Sequence, residues 1–136
     1  MYIKMKLILI GLSTSVLAWA WNRFLQMTGL PGPLRVGWAV PIGEESLKFL
    51  AAVGWAQPFW AVYLLFGLIE GLYEYARSDR PSSWRLLVAG PLFHGWLGSI
   101  YLAVPPRVGL LVATGIHIVW NNTIIWRRNR YKNSSK

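Results

Sequence analysis

The sequence predicts an all-α integral membrane bundle of about five transmembrane helices, and two observations lead to this prediction. Hydrophobic residues make up 54% of the 136 residues and charged residues only 14%, whereas soluble domains carry about 25% charged residues. The apolar residues also form long runs instead of amphipathic stripes, which indicates that lipid surrounds the folded chain. Because this length suffices for one domain, we expect a single transmembrane domain over residues 1–136.

Five apolar stretches are separated by short polar or proline-containing turns. They cover residues 5–21, 34–56, 59–76, 84–104 and 107–126, and the last four approach the ~20 residues that cross ~30 Å of hydrocarbon. Asn22 and Arg23 are expected to end the first helix. Short turns predict antiparallel neighbours, with a four-helix core that bears the motifs at about 34–126 and a frayed, basic cytoplasmic tail at 127–136.

The basic residues predict the orientation of the bundle. The net charge is +9, and most Lys and Arg residues flank apolar stretches, which indicates membrane anchoring and not nucleic-acid binding. With an uncleaved first helix and the N-terminus outside, Arg23, Arg35 and the basic tail all lie on the cytoplasmic side of a membrane that we expect to be a prokaryotic plasma membrane. Cleavage of the first stretch as a signal peptide, after the A-x-A pattern that ends at Ala20, would leave those charges outside.

Ionisable residues are concentrated inside the apolar stretches, where each charge costs about 2.5–3.5 kcal/mol on insertion scales. The chain has five acidic residues and two histidines. Almost all of them lie in these stretches, together with one lysine: Glu44, Glu45, Lys48, Glu70, Glu74, His94 and His117. Placing so many costly groups in the membrane favours a functional role for the set.

Depth and helical spacing bring these residues together. Glu44, Glu70, His94 and His117 each lie about ten residues into their stretch, or ~15 Å along a helix, so four helices carry an ionisable group to one level. Glu74 lies about one turn nearer the predicted cytoplasmic side, and we expect it to pair with an arginine of the 77–81 loop. Small residues accompany the polar ones, which predicts that these faces point into the bundle.

Simpler interpretations exist for single residues. Glu44 or Glu45 can form a buried ion pair with Lys48, and His94 can be a hydrogen-bonded packing residue. Asn121, on the same face as His117, can bridge two helices. Gly67 and Gly71 form a G-x-x-x-G pattern, which predicts close approach of a neighbouring helix.

Carboxylates and imidazoles in a dry pocket suit either hydrolysis or the relay of protons and cations. Hydrolysis can proceed with or without a divalent metal such as zinc. His94, His117 and Glu70 would give a His₂Glu ligand set with an open position. The absence of cysteine excludes thiolate ligands and a Cys nucleophile, and the H-E-x-x-H signature is absent, so both forms of hydrolysis stay open.

Four short motifs occur in order along the chain. An E-E-x-x-K motif begins at Glu44, F-x-x-x-E ends at Glu70, F-H ends at His94, and H-x-x-x-N runs from His117 to Asn121. In this order, on consecutive predicted helices, they resemble the PrsW family of intramembrane proteases. That family belongs to the wider group of CAAX-protease and bacteriocin-processing (Abi, CPBP) membrane enzymes. The resemblance covers roughly residues 40–125.

The resemblance implies a glutamate-dependent intramembrane peptidase that cleaves a membrane-anchored protein or a hydrophobic peptide with activated water. Glu44 and Glu45 would be the water-activating pair, supported by Lys48. Glu70 stands where the CAAX branch has a histidine, which makes it an orienting acid or a metal ligand.

The resemblance also assigns roles to the later motifs. His94 would assist the base or bind a metal, and His117 and Asn121 would stabilise the oxyanion. Two alternatives remain: a non-catalytic immunity or scaffold protein that binds a membrane partner through the same pocket, and a small proton or cation pathway. Because the chain is short for the family, a homo-oligomer is a further open arrangement.

Overall fold

The computed structural model describes residues 2–78 and 84–134, and this part of the chain is all-helical. It forms five helices: α1 (Tyr2–Met27), α2 (an opening turn Gly32–Leu34, a π-helical segment Arg35–Ala39 and the α-helix Val40–Gly54), α3 (Phe59–Arg77), α4 (Leu86–Ser99, followed by the 3₁₀ turn Ile100–Leu102) and α5 (Pro106–Ser134). The prediction of about five helices is therefore confirmed. Residues 79–83, which include the last three residues of the predicted 77–81 loop, and residues 135–136 of the tail lie outside the described residues.

Two predicted helix ends are wrong. Asn22 and Arg23 do not interrupt α1, which continues to Met27 and is followed by Gly29 at φ +70°. Exposed polar residues fit a helix as long as no proline intervenes, and glycine in the left-handed region is a common helix terminator. The tail after Trp126 is not frayed throughout, because α5 continues to Ser134.

Pro41 explains the π-helical segment of α2. Proline has no backbone N–H and its ring clashes with the preceding turn, so a regular α-helix cannot pass through it unchanged. The segment Arg35–Ala39 widens just before Pro41, and the N–H of Val40 bonds to the carbonyl of Arg35, five residues back. This wider turn leaves carbonyl groups of α2 in need of other donors.

Glycines set the tight contact between α3 and α4. A Cβ added to Gly67 would lie 2.5 Å from the carbonyl oxygen of Gly90, and one added to Gly90 would lie 3.6 Å from the Cα of Gly71. The close approach predicted from the G-x-x-x-G pattern is therefore confirmed. Further along, a Cβ on Gly98 would lie 2.7 Å from the Cα of Trp60, so the two helices stay close over several turns.

The two halves of the bundle differ in packing. Where α2 meets α3 and α4 meets α5, aromatic and apolar side chains close the interior, and the rings of Phe59 and Tyr101 stack with centroids 4.0 Å apart. The buried members of this aromatic plug are Tyr63, Leu97, Tyr101 and Ala113. The opposite half of the bundle, where α1 ends and α2 begins, holds the ionisable residues. A second apolar cluster of Ile10, Ala52 and Val62 joins α1 to α2 and α3.

Large apolar side chains cover much of the outer surface of all five helices. Within the described residues, two helical segments are long and apolar enough to cross a membrane by length and composition: Met5–Met27 and Pro106–Arg127. Leu87–Leu102 is apolar but shorter. The α-helix Val40–Gly54 of α2 has only 15 residues, and α3 carries Glu70 and Glu74, which lower its hydropathy.

We predict that Gly67→Ala destabilises the protein by about 1–3 kcal/mol, because the added methyl group meets backbone atoms of α4 that cannot move independently. The measurement is the free energy of unfolding in detergent. Gly115→Ala is the matched control. Nothing lies within 4 Å of its added Cβ, so a gain of about 0.5–1 kcal/mol is expected from helix propensity. Equal stability of the two variants would contradict the tight α3–α4 contact.

Candidate functional site

The ionisable residues predicted to converge do so in the structure. Glu45 and Lys48 have no exposed surface, and His94, His117 and Glu44 are 2%, 4% and 7% exposed. They come from three helices, and α3 adds Glu70, whose side chain is 38% exposed. This buried polar cluster therefore draws on α2, α3, α4 and α5.

Glu45 is the central acceptor of the cluster. Its Oε1 lies 2.5 Å from Nζ of Lys48 and 2.8 Å from Nδ1 of His117. Lys48 Nζ also lies over the rings of Phe66 and Tyr63, 4.5 and 4.8 Å from their centroids. The ammonium group is thus held by one carboxylate and two aromatic faces, which compensates for its removal from water.

His94 connects the lysine to α3. Its Nδ1 lies 3.1 Å from Nζ of Lys48, and its Nε2 lies 2.7 Å from Oε2 of Glu70. An ammonium group has only donors, so Nδ1 of His94 accepts and Nε2 carries the hydrogen that is donated to Glu70. His94 is therefore a hydrogen-bonded link between two charged residues, and both of its ring nitrogens are engaged.

Glu44 has a different environment from its neighbour Glu45. Its side chain is 9% exposed, and Oε2 lies 3.8 Å from Nε2 of His117, beyond hydrogen-bond distance. Within the described residues Glu44 makes no hydrogen bond. Because Nδ1 of His117 bonds to Glu45, Nε2 is the ring nitrogen that is directed toward the Glu44 carboxylate.

Two clefts reach this cluster. The first, of about 330 Å³, lies between α1, α2 and α3, and Glu44 is in its wall. The second, of about 240 Å³, lies between α3, α4 and α5, and its wall includes His94, His117 and Asn121. Glu70 and Glu74 line both clefts. Glu45 and Lys48 line neither cleft, and they contact the clefts only through His117 and His94.

Two asparagines of α5 supply the donors that α2 lacks. Asn121 Nδ2 donates to the carbonyl of Val36 at 2.9 Å, and Asn122 Nδ2 donates to the carbonyl of Gly37 at 3.0 Å. These carbonyls belong to the turn before Pro41, which has no N–H to offer them. Asn121 therefore bridges two helices, as in the simpler interpretation of this residue, while its side chain stays at the wall of the second cleft.

Sequence reasoning missed three contributors to the site. Asn122 was overlooked, although Pro41 inside an apolar helix signals carbonyls that need donors. The hydroxyl groups of Tyr63 and Tyr101 lie 2.9 Å apart at the edge of the cluster, and nothing in their spacing singles them out from other aromatic residues.

Glu74 does not form an ion pair with Arg77, which is one of the arginines predicted to hold it. It is exposed, and no described residue makes a salt bridge with it. Arg77 donates instead to the hydroxyl of Tyr73, because both side chains lie on the same helix face one turn apart. Asp79 and Arg80 of the predicted loop lie outside the described residues.

The residues considered as metal ligands do not fit that role. No group of three His, Asp or Glu side chains in residues 2–78 and 84–134 is arranged to hold a metal ion. Both ring nitrogens of His94 are bonded, to Lys48 and Glu70, and a lysine ammonium beside a ligand nitrogen opposes a cation there. The set of His94, His117 and Glu70 would therefore have to break existing hydrogen bonds to coordinate zinc.

We predict that Lys48→Met destabilises the protein by about 3–5 kcal/mol, because Glu45 would be left as a buried charge without its cation. Its other oxygen, Oε2, is buried and already has no hydrogen-bond partner. The free energy of unfolding in detergent measures the effect. The double variant Glu45→Gln/Lys48→Met removes both charges and is expected to recover part of the loss. A double variant less stable than Lys48→Met would contradict the ion pair.

Comparison with protein-family models, with curated proteins and with solved structures gives no match to this chain. The likeness to PrsW-type proteases therefore remains a prediction made from short motifs.

Proposed function

We propose that the chain is an integral membrane protein in which all five helices cross the bilayer, with the N-terminus outside and the C-terminus in the cytoplasm. Support comes from the large apolar side chains on the outer surface and from the charges at one end of the bundle. Arg23, Arg77 and Arg85 lie near the ends of α1, α3 and α4 in the half of the bundle where α1 ends and α2 begins. Basic residues of this kind mark the cytoplasmic side.

We propose further that the protein is a glutamate-dependent intramembrane peptidase that hydrolyses a membrane-anchored protein or a hydrophobic peptide. The observation that supports this most strongly is the state of Glu44. A carboxylate whose side chain is 9% exposed and makes no hydrogen bond within the described residues faces a cleft, and Nε2 of His117 lies 3.8 Å from it. A carboxylate that faces a cleft with no hydrogen-bond partner in the described residues is free to accept a proton from a water molecule there.

The geometry separates the roles of the two adjacent glutamates. Glu45 is inaccessible from either cleft and holds His117 through Nδ1, so we assign it a positioning role. Glu44 reaches the cleft, so we assign it the role of general base. A water molecule between Glu44 and His117 could donate one hydrogen to the carboxylate and would be held on its other side by Nε2 of His117.

The proposed hydrolysis proceeds in two steps, attack by water and collapse of the intermediate. The water oxygen attacks the carbonyl carbon of the peptide bond while one of its protons passes to Glu44. Asn121 keeps an amide hydrogen that Val36 does not use, but it lines the second cleft whereas Glu44 lines the first, so we assign it no contact with the oxyanion. On collapse the carbon–nitrogen bond breaks, and the proton moves from Glu44 to the leaving nitrogen. Glu70, held by His94, is placed to pair with the amine that forms.

A proton pathway is the second candidate, and one observation favours it. The hydrogen-bonded pair of Tyr63 and Tyr101 extends polar groups from the cluster toward the aromatic plug. Lys48 contacts Tyr63 through its ring face, 4.8 Å from the centroid, and not through the hydroxyl in the described hydrogen bonds. Beyond this pair the buried members of the plug, Leu97 and Ala113, are apolar, so the polar groups end inside the bundle, which favours hydrolysis.

We predict that Glu44→Gln lowers cleavage by about 10²–10⁴-fold, the usual contribution of a general base, while the protein remains folded. The variant and the wild type would each be co-expressed with a library of tagged single-pass membrane proteins, and shortened products detected by blotting. Thr123→Ala is the control, because this exposed hydroxyl bonds only to its own helix in the described contacts. Products that persist in Glu44→Gln would refute the assigned base. No product even with folded wild type would favour the scaffold interpretation.

We predict that purified protein in liposomes carries no proton flux above that of protein-free liposomes, because the polar groups end at the apolar side chains of the aromatic plug. A pH-sensitive dye inside the liposomes gives the measurement. Flux that disappears in both Tyr63→Phe and Glu70→Gln would replace the peptidase by the pathway.

A further inference from the structure

Glu74 is an acidic side chain that the proposed hydrolysis does not use. It lies one turn after Glu70 on α3, is exposed, and lines both clefts. No described residue forms a salt bridge with it, and the nearest arginine along the helix, Arg77, is turned to Tyr73. A carboxylate in this position is open to a cation that arrives in either cleft.

The first cleft suits a segment of an apolar chain. Leu12, Val16 and Trp19 of α1 face Phe66 and Ile69 of α3 across it, so its walls are mainly apolar. Such walls accept the side chains of a membrane-anchored peptide without exposing unsatisfied polar groups.

Glu44 makes the inner end of this cleft polar. The side chain of Glu44 is more than nine-tenths buried, makes no hydrogen bond within the described residues, and is in the cleft wall. Its carboxylate oxygens therefore offer acceptors to a polar group that enters the cleft. The cleft therefore combines a polar inner end, apolar walls and Glu74 nearer its cytoplasmic end.

The charges around the clefts restrict where a cation can be held. Arg23, Arg77 and Arg85 are exposed near this end of the bundle. Glu74 is the exposed acidic residue there, within the part of the chain that the structure describes. A lysine or arginine of an incoming chain is repelled by the arginines and attracted at Glu74, so this one contact fixes its position.

We propose that Glu74 is a specificity-determining residue that selects substrates with a lysine or arginine about two residues from the cleaved bond, on its cytoplasmic side. This inference rests on the proposed function. The spacing follows from the position of Glu70, which we place beside the amine formed at the cleaved bond. One helical turn, ~6 Å of rise, separates Glu74 from Glu70, and an extended peptide covers that distance in about two residues. Basic residues are common at the cytoplasmic ends of single membrane spans, so the substrate class fits the proposed orientation.

The test measures binding, which does not depend on cleavage. The probes are three fluorescent single-span peptides with one apolar segment and Lys, Gln or Glu at the same position near its cytoplasmic end. The protein is placed in phosphatidylcholine nanodiscs. Wild type is expected to bind the Lys peptide about fivefold more tightly than the Gln peptide, a modest difference because the pair is partly exposed. Glu74→Gln removes this preference, and Glu74→Lys reverses it toward the Glu peptide.

Arg77→Gln is the matched control. It removes a charge one turn away and is expected to keep the preference for the Lys peptide. The inference is overturned when wild type binds the three peptides equally, or when Glu74→Gln keeps the preference. It is also overturned when phosphatidylethanolamine in the nanodiscs abolishes the preference, since a lipid amine would then be the occupant of the site.

Cleavage by the same variants separates this inference from the proposed function. Glu44→Gln is expected to keep the Lys preference in binding and to form no product. Product formation by wild type without a Lys preference would overturn the role of Glu74 and leave the peptidase standing. A Lys preference without product from any folded protein would leave the cation site standing and overturn the peptidase.

Discussion

The buried ion pair between Glu45 and Lys48 is the interaction on which the site depends. Its Nζ–Oε1 distance of 2.5 Å joins two side chains without exposed surface, and each charge would be too costly alone in an apolar bundle. The same two groups orient both imidazoles: Glu45 holds Nδ1 of His117, and Lys48 holds Nδ1 of His94. One ion pair on α2 therefore determines which nitrogen each histidine directs toward the clefts.

A second constraint lies in the backbone of α2. Pro41 removes a donor from a turn that sits against α5, and the amides of Asn121 and Asn122 replace it. Without these amides, carbonyl groups of the π-helical segment would lie in an apolar region unsatisfied, which is costly. The proline thus forces a specific contact between α2 and α5, and that contact places His117, one turn before Asn121, beside Glu44.

The bundle divides into a rigid half and an accessible half. The aromatic plug and the glycine contacts between α3 and α4 fill the first with close-packed groups. In the second, the clefts on either side of α3 leave Glu44, Glu70 and Glu74 accessible. Accessible groups that are held by buried ones are the arrangement that the hydrolysis we propose would need.

The sequence by itself determined the all-helical class, the number of helices and the level at which the ionisable residues meet. These features follow from apolar run length, proline and glycine turns and helical rise, which are local properties. Only the tertiary structure decided how the two glutamates differ, because Glu44 and Glu45 are neighbours in sequence and their separate environments come from α1, α3 and α5. The same reason applies to His94 and Asn121: their partners, Lys48, Glu70 and Val36, lie on other helices. Hydrogen-bond partners across a bundle depend on helix rotation and packing, which no local pattern encodes.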